Sequence, residues 1–275
     1  NSQKVCFPKK VTSQIAEMLG YIVGDGHVCK QNVEFHNNSE YLRERYKSIV
    51  KKLNLNCREI KSDTGRLVQV TSRVFSNILE NTFNIPSGKK SDIVVIPELI
   101  LKSKQSILAA FLRAYFDCDG YIAKRKREIE LVTASKEMSL QLQCTLLRFG
   151  IVCFLRKKLI NHVPYYRILI RGKFVETYCE SIGFNHPKKA KRMDSMFDRI
   201  DNTNVDVIPE GGALLTQLRK ALRISPQQYR SSGKDYWAYE TGSYRVSRIW
   251  FEKLVRLFED RQTELLQSES KAKIL

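Results

Sequence analysis

Two aspartates, Asp25 and Asp119, stand in matching local settings 94 residues apart (119 − 25 = 94). The first closes the run Met18-Leu19-Gly20-Tyr21-Ile22-Val23-Gly24-Asp25-Gly26, and the second closes Leu112-Arg113-Ala114-Tyr115-Phe116-Asp117-Cys118-Asp119-Gly120. Each apolar run predicts a helix that ends at its Asp-Gly. A carboxylate there sits at the negative end of the helix dipole, which costs about 0.3–1 kcal/mol. A second carboxylate beside it costs more. A divalent cation would remove both penalties. Carboxylate oxygens suit Mg²⁺, with Mn²⁺ or Ca²⁺ able to occupy the same sites, and an ion so held polarises a phosphate and lowers the pKa of an attacking water.

Other metal chemistry finds no support. The seven cysteines contain no C-x-x-C pair, and His27, His36, His162 and His186 lie far apart, so neither a zinc knuckle nor a zinc hydrolase can be assembled. Most cysteines stand in apolar stretches and read as small buried thiols of a reducing, intracellular compartment: cytoplasm, nucleoid or organelle.

The helices that carry the aspartates must also be brought together. Small residues recur four apart, Gly20 with Gly24 and Ala114 with Cys118, which puts a flat ridge on one face of each helix and lets two backbones approach. The expectation is a pseudo-twofold helix pair. Gly26 and Gly120 are expected in the left-handed conformation that ends many helices.

The similarity extends beyond these runs. Val33-Glu34-Phe35 and Ile129-Glu130-Leu131 read as strands, Ser39 and Ser135 as caps of helices running to Lys52 and Arg148, and the stretches 58–61 and 156–158 as basic strands. Both copies close alike, on Phe83-Asn84-Ile85-Pro86 with Lys89-Lys90 and on Phe184-Asn185-His186-Pro187 with Lys188-Lys189. The offset drifts from 94 to 101 as loops lengthen. These features predict an α+β protein of two pseudo-symmetric αββαββα repeats, residues 10–104 and 105–200. A small, mainly helical unit follows over 205–265. Its basic run Arg219-Lys220-Ala221-Leu222-Arg223 leaves a DNA-binding role and a capping role both open.

Charge narrows the partner. With 47 Lys and Arg against 29 Asp and Glu, the 275-residue chain carries +18 and has a pI near 9.6, which points to a polyanion. Nucleic acid fits. A membrane does not, because there is no 18-residue apolar run and no signal-peptide pattern.

On the paired runs ending at Asp25-Gly26 and Asp119-Gly120, the sequence resembles the monomeric, two-motif LAGLIDADG homing endonucleases, and is similar to their intein-borne members. The resemblance covers about residues 10 to 200. The second motif, Phe111 to Gly120, keeps the Leu, a small third residue, both acids and the final Gly, while the first has Val23 where an acid is common. The resemblance implies saddle-shaped antiparallel sheets along the major groove of double-stranded DNA with a long, rare target site. It implies Asp25 and Asp119 as catalytic, metal-binding acids with Gly24 and Cys118 in the metal site, and Asp117 as structural. It also implies a lysine near each cleavage centre, here Lys90 and Lys189, with Lys89, Lys188 and Lys191 as competitors.

DNA contacts are expected from exposed strand faces. Gln69, Thr71 and Arg73 alternate with Val68 and Val70, and Arg167, Arg171 and Lys173 flank Ile168 and Ile170. Lys124, Arg125 and Arg127 are expected to meet phosphates. A cleaving monomer is the leading expectation. The alternative is an RNA maturase or a transcription regulator of the same fold that does not cut. Neither end of the sequence carries splicing residues, so an endonuclease excised from an intein and a free-standing one both remain open.

Overall fold

The computed structural model describes residues 4–62, 65–124, 126–196, 207–225 and 236–272, and divides into two compact units, Asn1–Asp201 and Asn202–Leu275. Arg125 lies outside the described residues.

The first unit repeats one succession of elements. Its first copy runs α1 (Ser13–Asp25), β1 (Gly26–Val28), β2 (Asn32–His36), α2 (Glu40–Lys52), β3 (Cys57–Ser62), β4 (Gly65–Thr71) and α3 (Arg73–Phe83), with a short α4 (Glu98–Leu101) before the second copy. That copy runs α5 (Gln105–Asp119), β5 (Gly120–Ile122), β6 (Glu128–Thr133), α6 (Lys136–Leu147), β7 (Cys153–Ile160), β8 (Val163–Arg171) and α7 (Lys173–Ser181), followed by α8 (Pro187–Asp194). Each copy forms a four-stranded antiparallel sheet of matching order, β1-β2-β4-β3 and β5-β6-β8-β7. The registers match as well: Gly26 pairs with Phe35 as Gly120 pairs with Leu131. This is the α+β, two-repeat architecture that the duplication implied.

Alternation decides which sheet face is core. Val33, Phe35, Val68 and Val70 are fully buried on one side of the first sheet, and Ile129, Leu131, Ile168 and Ile170 on one side of the second. Helices cover those faces, and the outer faces carry the polar residues. Ser72 caps α3 by accepting from Phe75 N, and Ser135 caps α6 by accepting from Met138 N. Ser39 holds the matching position before α2 without a side-chain bond; Asn37 Oδ1 accepts from its backbone N–H instead.

Helices α1 and α5 pack against each other along the small-residue ridge. A Cβ added to Gly20 would come within 2.5 Å of Phe111 O and 2.7 Å of Ala114 Cβ, and one on Gly24 within 2.7 Å of Cys118 Cβ. Only glycine permits that approach. Around the seam Leu19, Ile22, Phe111, Leu112 and Phe116 are fully buried, each side chain contributing about 1.5–3 kcal/mol by removal from water.

The glycines that follow the helices differ from expectation. Gly26 has φ −90° and ψ 158°, and Gly120 has φ −74° and ψ 140°, so both are extended and lead directly into β1 and β5. Their requirement is space. A Cβ on Gly26 would meet Ile22 O at 2.4 Å, and one on Gly120 would meet Phe116 O at 2.5 Å. The thiols also differ, since Cys153 alone is buried while Cys6 and Cys144 are exposed; all seven are free.

The second unit has its own core of Leu215, Ile224, Tyr236, Tyr239, Val246, Leu254 and Phe258. Five of these come from α9 (Gly211–Ala221), α10 (Tyr236–Glu240) and α11 (Arg248–Ala272), while Ile224 and Val246 lie outside the helices, and Val207 is bridged to Ser247. Among the described residues no helix is long and apolar enough to cross a membrane.

Candidate active site

The pairing of α1 with α5 brings Asp25 and Asp119 close enough for the charge of one to act on the other. Burial of its carboxyl and then the neighbouring Asp25 charge push the Asp119 pKa up to about 6, against the pull of Lys90 and Lys189. The Asp119 residue lines a cleft and keeps part of its surface exposed there, although its carboxyl is crowded by protein. Its shift therefore bears on proton and cation uptake more than on folding stability. Asp25 differs in having a donor, for Asn37 Nδ2 gives it a 2.7 Å hydrogen bond.

Each motif helix ends on a lysine ammonium, buried at Lys90 and half-buried at Lys189. Lys90 Nζ donates to Val23 O at 2.8 Å and Gly24 O at 3.2 Å, at the end of α1. Lys189 Nζ donates to Phe116 O at 2.9 Å, Asp117 O at 2.6 Å and Cys118 O at 3.4 Å, at the end of α5. A cation on terminal carbonyls answers the dipole that the acids oppose. Burial lowers both lysine pKa values, while the nearby acids, Asp119 foremost at Lys90 and Asp117 at Lys189, hold them up. Lys89, Lys188 and Lys191 are exposed.

Asp117 points away from this chemistry. It accepts from Asn185 N and from His186 N at 2.9 Å, which ties α5 to the segment that delivers Lys189. Burial raises its pKa to about 6, and those backbone donors oppose the shift.

The cleft beside Asp119 is about 370 Å³ and is lined also by Gly24, His27, Lys89, Lys90 and Tyr165. Among the described residues no three His, Cys, Asp or Glu side chains cluster, so a cation here would have two carboxylates, adjoining main-chain carbonyls, water and substrate oxygens. That all-oxygen set fits a hard divalent ion. The carbonyls of Gly24 and Cys118 stand beside the acids and accept from the two lysines.

Several expected DNA contacts are placed differently. Arg73 and Lys173 begin helices α3 and α7, because Ser72 caps the one and Gly172, at φ 60°, turns the chain into the other. Gln69 is on the outer face but only 8% exposed, held between Arg58 and Glu34. Thr71 is exposed and bonded to Asn32. Arg127 pairs with Glu176 and is largely buried, which removes it from the phosphate-contacting run, whereas Lys124 is exposed. Arg167 and Arg171 lie on the outer face, bound to Glu130 and Glu128. In the second unit Arg219 clasps Glu240 through Nε and Nη2 and is committed to that fold.

Asn37 leaves little mark in the sequence, since its only signal is an Asn two residues before a cap serine, a common pairing at helix starts.

The profile of the LAGLIDADG-like domain matches residues 13–82 and 106–183, one match per repeat. The chain belongs to the LAGLIDADG-like domain family. Its fold is that of the homing endonuclease I-DmoI, whose complex with DNA and Mn superposes with TM-score 0.52 at 16% identity, covering 64% of this chain and 99% of I-DmoI. Curated relatives include the replication factor C small subunit of Methanocaldococcus jannaschii, 35% identical over 94% of this chain and 14% of that protein. An A-type ATP synthase protein of Pyrococcus abyssi is 28% identical over 96% of this chain and 24% of that protein. This LAGLIDADG chain thus spans less than a quarter of the length of either relative.

Proposed function

We propose that this chain is a site-specific endonuclease that hydrolyses one phosphodiester on each strand of a long, rare double-stranded DNA site, with a divalent cation held by Asp25 and Asp119. The observation that carries the reading is the meeting of two carboxylates, one from each repeat, at the ends of α1 and α5, each helix end also holding a lysine ammonium. Carboxylates without a cation at that place repel each other and the DNA.

The cation, when bound, would polarise the scissile phosphate and make the attacking water more acidic. The chain's own residues do the rest. Asn37 fixes Asp25, while Asp119 gives up its proton near pH 6 and gains full charge for binding the ion. Lys90 and Lys189 offset the charge that grows on the phosphate as water attacks phosphorus and the sugar oxygen departs. Two acid-lysine sets in one chain let a monomer serve both strands.

We further infer that the chain corresponds to an inserted element. Nearly its whole length aligns with a minor part of a replication factor and of an ATP synthase component, proteins that share no function by name. A segment common to such different hosts is expected of an intein-borne endonuclease that moves between genes.

The test is a randomised duplex library incubated with purified protein and Mg²⁺, with cut ends sequenced. One rare site should be recovered with Mg²⁺ and none with chelator, and Asp25→Asn and Asp119→Asn should bind that site without cutting it. Tight binding by the wild type with no cutting under any divalent ion would favour the non-cleaving regulator or maturase.

A further inference from the structure

The outer faces of both sheets carry acids, which is unexpected on surfaces offered to a polyanion by a protein of charge +18. On the second sheet Glu130 takes Arg167 in a two-pronged contact, Nε to Oε1 and Nη2 to Oε2, both at 2.5 Å. Glu128 takes Arg171 directly across from it, whereas Glu130, opposite Leu169, reaches Arg167 diagonally. On the first sheet Glu34 accepts from Gln69 Nε2 at 2.8 Å, and Gln69 Oε1 in turn accepts from Arg58 Nε and Nη2 at 2.9 and 2.6 Å. The acids are the sheltered members: side-chain exposure is 17% for Glu130 and 9% for Glu128, against 35% for Arg167 and 27% for Arg171.

Resting on the endonuclease reading, we propose that these acid-anchored donors determine which bases are read, with Arg167 on Glu130 the principal specificity pair of the second half. A guanidinium has five N–H groups in one plane, and Glu130 occupies two of them. The other three stay on the open side, in a plane that the carboxylate fixes. That presentation suits the paired acceptors on a guanine edge in the major groove, which an unanchored side chain would reach only at a cost in entropy. Neutralisation has a second effect. A cation with its charge matched by a carboxylate gains little from a phosphate, so the face discriminates between bases without a strong hold on arbitrary DNA. The exposed Arg156 and Lys158 on β7 supply that sequence-independent attraction.

The test is selection of bound duplexes from a randomised library in Ca²⁺, comparing wild type with Arg167→Ala, Arg167→Lys and Glu130→Gln, with thermal melting as the check on folding. Arg167→Ala should lose roughly tenfold or more of the discrimination at one base pair. Arg167→Lys should lose it at the same pair while keeping the wild-type salt dependence, a result that a purely structural arginine would not give. Glu130→Gln, near-isosteric and folded, should relax that same pair and bind non-cognate DNA several-fold more tightly. A folded Glu130→Gln protein with an unchanged base profile, or one relaxed at a different pair from Arg167→Ala, overturns the proposal. Failure of the wild type to enrich any sequence would instead bring down the endonuclease reading and this one with it.

Discussion

Asp25 and Asp119 end equivalent helices, and one difference in their surroundings bears directly on their charge. In the first repeat the residue after β2 is Asn37, which spends its oxygen on Ser39 N and its amide on Asp25. In the second, Thr133 takes that place and accepts from Ser135 N, so the capping half of the role survives and the donor half does not. Among the described residues the Asp119 carboxyl has no such amide donor, and burial and the Asp25 charge raise its pKa to about 6. Duplication preserved the frame of the site, and the two copies diverged in what steadies the charge. The acids therefore form a pair of unlike members, one tethered by an amide donor and one whose charge burial and its neighbour disfavour below about pH 6.

The comparison can be broken most severely at the seam that makes it. Gly20→Val drives a side chain into Phe111 O and Ala114, and overpacking of this kind, at about 1–3 kcal/mol, should lower the melting temperature by about 5–10 °C. It should also separate the acids and abolish any cutting. The lysines come next. Lys90→Met and Lys189→Met should each slow single-turnover cleavage by about 10²–10³. If each lysine serves the half it is built into, the two variants will slow opposite strands.

A smaller effect sharpens the asymmetry. Asn37→Ala should reduce cleavage by about 10- to 100-fold through loss of a partner that orients a ligand, while Thr133→Ala should leave it within a few-fold. The smallest effect is in pH. Because the Asp119 pKa is raised from 3.8 to about 6, the carboxyl is protonated below that value and must lose its proton to take a cation. Mn²⁺ affinity measured by calorimetry should rise by up to about tenfold per pH unit towards pH 6 and level off above it. Asp119→Asn should flatten that profile.

Much of this architecture is legible in the sequence because repetition exposes it. The order of elements and the small-residue ridge follow from the equivalence of residues 25 and 119, since helix and strand periods leave plain marks in apolar spacing. Lys90 and Lys189 sit one position after exposed neighbours, and only the packing shows which of each pair turns inward. The conformations of Gly26 and Gly120 were hidden because a left-handed turn and a tight extended passage demand the same residue. Arg73 and Lys173 looked like strand residues since alternation says nothing of where a cap begins a helix. Arg127 and Arg219 looked like free cations because their partners, Glu176 and Glu240, are 49 and 21 residues away (176 − 127 and 240 − 219).

The central claim is that the two unlike acids act as one unit on both strands. It is tested most directly by single-turnover cleavage of a supercoiled plasmid carrying the selected site, following nicked and linear products for wild type, Asp25→Asn and Asp119→Asn. Either substitution alone should suppress both nicking and linearisation, while binding of the site persists. Full-rate nicking of one strand by either variant would mean that the halves work independently, and would contradict the shared site.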